Sequence, residues 1–483
     1  MTLSIHARPG VRRLRGLVGE APLLTLTVAF LPFAFIPHEL IPSGPQTPKL
    51  LLCLIFACGW LYRSRSHQAR LTSVEWWTLG LAAWVACRMI WLEYFEAGLS
   101  LPLAQAELAP LVGGLVLFRL ATQHRLRASI RLGLTYSLVL MCAVEAWQLV
   151  AGLPELLALG YTTPPFSYNT ATGEYRPFGT AYSPVTFGIL LSLVLLAVVL
   201  TNRRRTAAAM ACLGGTFLLL TYTRSAWLGV IVSAGVILLN SPLWRRRFLH
   251  GLVFATLLVP TLVLILPGDL GVLERLTTLT DRNYSSNTIR IDLWAGTLRT
   301  VSDNWLIGYG GEPFSQATAR HLGALGDFAH PHNNYLQVLF QYGLIGLVLF
   351  GGLLWAAGGA MWRRRATDET WRLAGLAGLV AFAWTSLFET TWGSFNLLVT
   401  LFLIFGLGMP PRHQERTTAG SGGLRALGGH PLSAAAIRNH AQGAMPGSTR
   451  TRRSGTSTGV DTTPSDHGAA SACGRTTSRS RHA

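Results

Sequence analysis

Residues 330–346 hold a pair of histidines where a long polar stretch gives way to an apolar run. They read His-Pro-His-Asn-Asn-Tyr-Leu-Gln-Val-Leu-Phe-Gln-Tyr-Gly-Leu-Ile-Gly. Pro331 disfavours the helical conformation at His330, and asparagines such as the two after His332 often cap a helix N-terminus. The pattern therefore predicts a helix that begins just after His332, whose imidazole lies at the partly positive helix end. Such a histidine is either a functional group or a plain helix-capping or interfacial residue.

Three arginines stand in stretches that otherwise carry few basic residues. Arg176 precedes an apolar run, Arg224 lies in a short link between two such runs, and Arg290 comes one helical turn before Trp294. Guanidinium groups bind phosphate oxygens through two parallel hydrogen bonds. Together with His332, these arginines predict a phosphate-binding site. Taken singly, each would more often reach lipid headgroups or pair with a nearby aspartate.

The composition is that of a membrane protein rather than a soluble enzyme. Half of the 483 residues are hydrophobic and only 13% are charged, and the apolar runs are roughly 15–25 residues long, about the length that crosses a bilayer core. The net charge of +18 does not indicate nucleic-acid binding, because the arginines form short clusters between apolar runs. We predict an all-α polytopic fold of twelve spans, near 20–37, 47–62, 73–95, 107–122, 130–152, 181–201, 206–222, 226–243, 248–266, 334–361, 373–389 and 395–409.

The arginine clusters between the runs predict the orientation of these spans. They fall in alternate loops, on the same side as the basic N-terminus, and the positive-inside rule makes that side cytoplasmic. Both termini are then cytoplasmic, and the long loops at about 153–180 and 267–332 are external. Apolar residues at helical spacing predict a helix at about 286–302, lying along the membrane surface. Residues 1–411 form the membrane domain, and residues 412–483, rich in Gly, Ser, Thr and Arg, are expected to be a disordered cytoplasmic tail.

Ionisable residues within or at the ends of the predicted spans are candidates for function by default. Arg88, Glu145 and Glu389 belong to this group, but the sequence assigns none of them a role. The sequence shows no Gly-rich nucleotide loop, no Cys/His metal spacing and no nucleophile elbow. Its cysteines lie in apolar runs or in the tail, so we expect no disulfide framework.

These motifs resemble those of the O-antigen ligase-like superfamily. His332-Asn333, nine residues and then Gly-Leu-Ile-Gly is similar to that family's histidine block. The segments around Arg176, Arg224 and Arg290 resemble its other blocks in the same order, although Tyr-Thr-Arg at 222–224 departs from the usual Ser-Arg pair. The motifs cover about 170–350. The family contains O-antigen ligases, surface-glycan polymerases and protein O-oligosaccharyltransferases.

The resemblance implies a GT-C-type glycosyltransferase that needs neither metal nor other cofactor. Such an enzyme takes a glycan from undecaprenyl diphosphate at the periplasmic face of the bacterial inner membrane. By position, His332 corresponds to the essential histidine, and Arg224 and Arg290 to the arginines that handle phosphate. We add Arg176, His330 and Asn333 as candidates for substrate binding.

The mechanism that follows is proton removal from an acceptor hydroxyl by His332. The helix N-terminus and the arginines disfavour a charged imidazole, and backbone N–H groups of that N-terminus add donors for the diphosphate. Attack opposite the departing diphosphate inverts the anomeric centre.

The leading function is ligation of a finished glycan to lipid A–core. A polymerase that uses another carrier-linked glycan as acceptor comes next, followed by a protein O-oligosaccharyltransferase. A transporter is least favoured, because the sequence lacks the internal repeats typical of that class.

Overall fold

The computed structural model describes residues 21–34, 71–95, 101–158, 168–169, 174–181, 183–246, 285–322, 328–362 and 369–410. Across these residues the chain is helical, apart from the antiparallel pair of two-residue strands β1 (Tyr168–Asn169) and β2 (Glu174–Tyr175). Its main helices are α1 (Pro22–Phe30), α2 (Ser73–Phe95), α3 (Leu101–Ala121), α4 (Arg127–Ala158), α5 (Pro184–Thr201), α6 (Arg204–Leu220), α7 (Arg224–Asn240), α8 (Ser285–Val301), α9 (Phe314–Leu322), α10 (Asn334–Trp362), α11 (Glu369–Thr385) and α12 (Phe395–Gly408).

The predicted helical membrane fold is confirmed in its coarse form. Among the described residues, three segments are long and apolar enough to cross a membrane: His124–Ala158, Pro184–Thr201 and Asn334–Trp362. Ten of the twelve predicted spans coincide with α1–α7 and α10–α12, whereas those near 47–62 and 248–266 lie outside the described residues. The predicted tail, 412–483, also lies outside them. The total of twelve spans and the GT-C type remain predictions.

Helix α5 lies at the centre of the packed bundle. It is apolar along its whole length and most of its side chains are buried. Helix α11 packs against both α5 and α7, α12 packs against α3, and α10 packs against α2. Glycines allow α11 and α12 to approach closely, since a Cβ on Gly375 would lie 2.6 Å from the Cα of Gly408.

Contacts at one end of the bundle agree with the predicted alternation of the spans. Buried Arg127, at the start of α4, donates to the carbonyls of Leu407 and Met409 at the end of α12. An ion pair between Glu75 and Arg119 joins the start of α2 to the end of α3. The arginine clusters place all four of these helix ends on the cytoplasmic side. The cytoplasmic location of these helix ends remains a prediction, whereas the contacts between them are observed.

The helix predicted at about 286–302 is confirmed as α8, Ser285–Val301. A short 3₁₀ turn and α9 follow it, and α9 packs on α8 through a small apolar cluster that contains Leu293, Phe314 and Leu322. The sequence analysis did not predict α9. The position of α8 along a membrane surface remains a prediction.

Helix α10 is broken at Gly343, whose backbone has φ 63° and ψ −165°. The loop that follows α8 enters the break: the N–H groups of Tyr309 and Gly310 each donate at 2.7 Å, to the carbonyls of Phe340 and Gln341. The N–H of Leu344 donates in return to the carbonyl of Trp305 at 2.8 Å. The backbone groups freed by the break are thus satisfied, as a membrane interior requires.

Side chains of α2 complete the arrangement at this break. The indole N–H of Trp84 donates to the Tyr342 carbonyl at 2.9 Å, and Arg88 donates to the Gly308 carbonyl at 2.9 Å. Arg88 therefore has a structural contact that accounts for an arginine near the end of a predicted span. The first glycine of the Gly-x-x-Gly pattern corresponds to the break itself.

Replacing Gly343 by alanine should lower the free energy of unfolding by more than about 2 kcal/mol. The φ is positive, and a Cβ would overlap the carbonyl of Leu306. Gly351→Ala in the same helix is the control, because nothing lies within 4 Å of its Cβ position and alanine is favoured there by up to about 1 kcal/mol. Thermal unfolding in detergent compares the two variants. Equal midpoints would show that the break tolerates a side chain.

Candidate functional site

His332 adopts a left-handed backbone conformation, φ 52°, immediately before α10. The predicted start of this helix is confirmed, because α10 begins at Asn334 and the Oδ1 of Asn333 accepts the Leu336 N–H at 3.1 Å. Asn333 is thus the N-cap. Left-handed backbone is uncommon for a residue other than glycine and is concentrated at functional sites.

The buried carboxylate of Glu389, in the loop between α11 and α12, lies at the centre of a polar cluster. Its Oε1 accepts a hydrogen bond from Nη2 of Arg290 at 2.7 Å and another from the Ser225 hydroxyl at 3.4 Å. Its Oε2 lies 3.5 Å from Nδ1 of His332. One carboxylate, in the loop before α12, is therefore contacted by residues from α7, from α8 and from the segment before α10.

The charges in this cluster set the ionisation of its members. Burial by itself raises the pKa of Glu389, but Arg290, His332 and Arg176 together outweigh it, so this pKa lies below its ordinary value. Burial and the neighbouring His332 lower the pKa of His330 to about 4, against a smaller opposite effect of Glu389. At neutral pH, Glu389 is therefore an anion and His330 is neutral.

A second strained turn borders the cluster, between α6 and α7. Tyr222 has φ 53°, and within the described residues it and His332 are the two non-glycine residues with left-handed backbone. Arg176 holds this turn: its Nη2 donates to the Thr221 carbonyl at 3.1 Å and to Thr223 Oγ1 at 3.4 Å. The turn leads directly into Arg224, the first residue of α7.

Comparison with known proteins shows a similarity over the stretch that contains Arg290 and His332. The family model described as O-antigen ligase matches residues 208–351, which contain the 221–224 turn, α8 and the His332 segment. An O-antigen ligase of Pseudomonas aeruginosa (strain PAO1) is 29% identical over 180 residues. This part of the chain is therefore similar to the O-antigen ligases. The matched part covers 31% of this chain and 43% of the Pseudomonas protein, so less than half of that relative is spanned.

Three of the predicted site residues, His330, His332 and Arg290, lie close together in the structure. Arg290 and His332 contact the same carboxylate. The rings of His330 and His332 lie 4.5 Å apart between centroids, at an angle of 34°. Trp294, one turn after Arg290, donates through its indole N–H to the Pro331 carbonyl at 3.0 Å and so ties α8 to the histidine segment.

Two of the other predicted site residues, Arg176 and Asn333, make hydrogen bonds to backbone carbonyls that stabilise the fold. Arg224 adjoins Ser225, whose hydroxyl reaches Glu389, while the guanidinium of Arg176 lies on the carbonyls of the preceding turn. The side chain of Asn333 caps α10 and donates to the Leu387 carbonyl at 3.0 Å. The roles proposed for these three residues in binding substrate remain predictions.

Glu389 is the member of the cluster that the sequence analysis did not place. Its one signal was a carboxylate at the end of an apolar run, and no spacing rule connects it to His332. Glu389 is a negative neighbour of His332 that the sequence did not reveal. Among the described residues, no group of three or more His, Cys, Asp or Glu could hold a metal ion.

Acidification should destabilise the folded protein, in part through His330. Its pKa is about 4 in the folded state, against an ordinary value of 6.5, so the unfolded chain binds the proton more readily. Its contribution to stability is therefore complete above pH 6.5 and is lost as the pH falls towards 4. The melting temperature of His330→Asn should fall less between pH 7 and pH 5 than that of the wild type.

The matched control is His124→Asn, a change at an exposed histidine away from the cluster. Its melting temperature should follow the wild type at both pH values. Equal falls for His330→Asn and the wild type would show that His330 does not stay neutral in the folded protein.

Proposed function

We propose that this chain is a membrane glycosyltransferase that moves a glycan from undecaprenyl diphosphate to an acceptor hydroxyl at the periplasmic face of the bacterial inner membrane. The observation that carries the proposal is the Arg290–Glu389–His332 cluster, in which a histidine suited to acid–base chemistry and an arginine suited to phosphate binding contact the same carboxylate. The superfamily match supports a glycan-transfer reaction at this cluster.

His332 is the general base in this proposal. Because Nδ1 faces the ionised Glu389, the carboxylate favours the tautomer with its proton on Nδ1, in which Nε2 is the nitrogen that accepts a proton. Glu389 also stabilises the imidazolium that forms when Nε2 takes the proton of the acceptor hydroxyl. The neutral His330 beside it adds no competing positive charge.

The leaving group is a diphosphate, and the arginines stabilise its growing negative charge. Arg176, Arg224 and Arg290, set against the single carboxylate of Glu389, leave a surplus of positive charge among these groups. The backbone N–H groups of Asn333, Asn334 and Leu336 already donate within the protein. These N–H groups were expected to add donors for the diphosphate, but the arginines carry that role in this proposal.

The reaction is a single displacement. The acceptor oxygen forms a bond to the anomeric carbon as its proton passes to Nε2 of His332. The bond from that carbon to the diphosphate oxygen breaks, undecaprenyl diphosphate leaves, and the anomeric centre inverts. No step in this scheme requires a metal ion.

Ligation to lipid A–core is the favoured reaction, since the family model and the Pseudomonas relative both bear the name O-antigen ligase. The test uses the purified chain in lipid nanodiscs with a carrier-linked glycan as donor. Lipid A–core, a second carrier-linked glycan and an acceptor protein are supplied in parallel, with and without EDTA. We expect glycan on lipid A–core, with inverted configuration by NMR, and equal rates in EDTA.

Each other outcome points to a different conclusion. Transfer to the second carrier-linked glycan would identify a polymerase, and transfer to protein an O-oligosaccharyltransferase. Loss of activity in EDTA would overturn metal independence. No product with any acceptor would overturn the proposed activity.

A further inference from the structure

Asn334, the first residue of α10, is completely buried and makes its side-chain hydrogen bonds to one short segment, residues 386–392. Its Oδ1 accepts from the N–H groups of Thr391 at 2.7 Å and Trp392 at 2.9 Å. Its Nδ2 donates to the hydroxyls of Ser386 and Thr391, at 2.9 Å each. Its own backbone N–H donates to the Ser386 carbonyl at 2.8 Å.

These hydrogen bonds hold the segment on both sides of Glu389. Ser386 lies three residues before the carboxylate, and Thr391 and Trp392 follow it by two and three residues. Helix-type backbone hydrogen bonds run as far as Glu389, whose N–H donates to the Thr385 carbonyl at 3.0 Å, but the N–H groups of Thr391 and Trp392 donate to Asn334 instead. The buried amide of Asn334 can donate and accept at once, and it supplies hydrogen-bond partners for backbone N–H groups of the loop.

His332 lies two residues before Asn334 in the chain. The same short stretch therefore carries the proposed base and the amide that holds the base's carboxylate partner. Asn333 adds two hydrogen bonds to the same segment, to Leu387 and Thr390, but Asn334 makes the larger number. We therefore expect the separation between Nδ1 and Oε2 to depend on the link between Asn334 and the 386–392 segment.

We propose that Asn334 is a positioning residue that holds Glu389 against His332 and Arg290. This inference rests on the proposed function, because it assigns Asn334 to the same site. Asn334 does not touch the reacting atoms. It acts through the carboxylate, and its substitution should lower kcat rather than raise the KM for the donor.

The first measurement does not depend on activity. Hydrogen exchange of the full-length Asn334→Ala variant in nanodiscs should show the Thr391 and Trp392 amides exchanging at least about tenfold faster than in the wild type. Asn396→Ala is the matched control: Asn396 is also buried, and its Nδ2 donates to the Pro32 carbonyl instead. Exchange at Thr391 and Trp392 should be unchanged in that variant.

The second measurement is a double-mutant cycle with glycan transfer as the readout. Asn334→Ala should lower kcat by about ten- to a hundredfold, with little change in KM. Added to Glu389→Gln, it should lower kcat by less than about threefold more, because both changes remove the same alignment. Asn396→Ala should retain wild-type kcat per folded protein.

The outcomes separate the inference from the function on which it rests. Unchanged exchange at Thr391 and Trp392, or full additivity of the two substitutions, would overturn the positioning role of Asn334 alone. If these amides exchange faster in Asn334→Ala but the wild-type protein transfers no glycan, Asn334 still holds the loop and the proposed function is overturned instead.

Discussion

Replacement of His332 by alanine should lower the rate of glycan transfer by about a hundred- to ten-thousandfold, the range usual for loss of a general acid–base group. The imidazole lies beside the ionised carboxylate of Glu389, with Nδ1 3.5 Å from Oε2. His330→Ala should be much milder, because His330 stacks beside the base but its proposed role is only in binding. The measurement is the initial rate with a carrier-linked donor, normalised to folded protein.

Alanine at position 332 also disturbs the backbone, since His332 has φ 52°. His332→Asn separates the two effects, because asparagine tolerates the left-handed conformation better than most residues. If the imidazole is the base, the asparagine variant should be as inactive as the alanine variant while it retains wild-type stability. Near-normal transfer by either purified variant would exclude His332 as the base.

The sequence was sufficient to predict two local features beside the site, although it missed the short helix α9. Pro331 and the asparagines after His332 predicted the start of α10, and Asn333 caps this helix as expected. Apolar residues at helical spacing predicted α8 to within one residue at each end. Such features depend on contacts within one or two turns of a helix.

The contacts between distant segments could not be predicted in the same way. Glu389 reaches the site because α11 packs against α7 and so brings Ser225 to the same carboxylate. The break at Gly343 depends on a loop that enters it from before α9. Arg176 was predicted to bind phosphate, yet its hydrogen bonds run to the turn before Arg224, and sequence alone gives no means of distinguishing these uses.

Replacement of Arg290 by alanine should reduce kcat by about ten- to a hundredfold. Arg290 is shared between Glu389, at 2.7 Å, and the proposed diphosphate. Arg290→Lys keeps the charge but loses the two-pronged geometry, so its activity should lie between those of alanine and wild type. Arg299→Ala, at an exposed arginine of the same helix, is the control and should retain wild-type turnover.

Arg290→Ala also leaves the buried carboxylate of Glu389 without its nearest cation, which removes a contact of about 1.5–3 kcal/mol. A second substitution, Glu389→Gln, removes that unpaired charge and should restore most of the lost stability. If Arg290 served only to neutralise Glu389, the double variant would be no less active than Glu389→Gln alone. We expect it to be at least about tenfold less active, because stabilisation of the diphosphate is still missing. Equal activity would confine Arg290 to a structural role and leave Arg224 as the next residue to test for binding the leaving group.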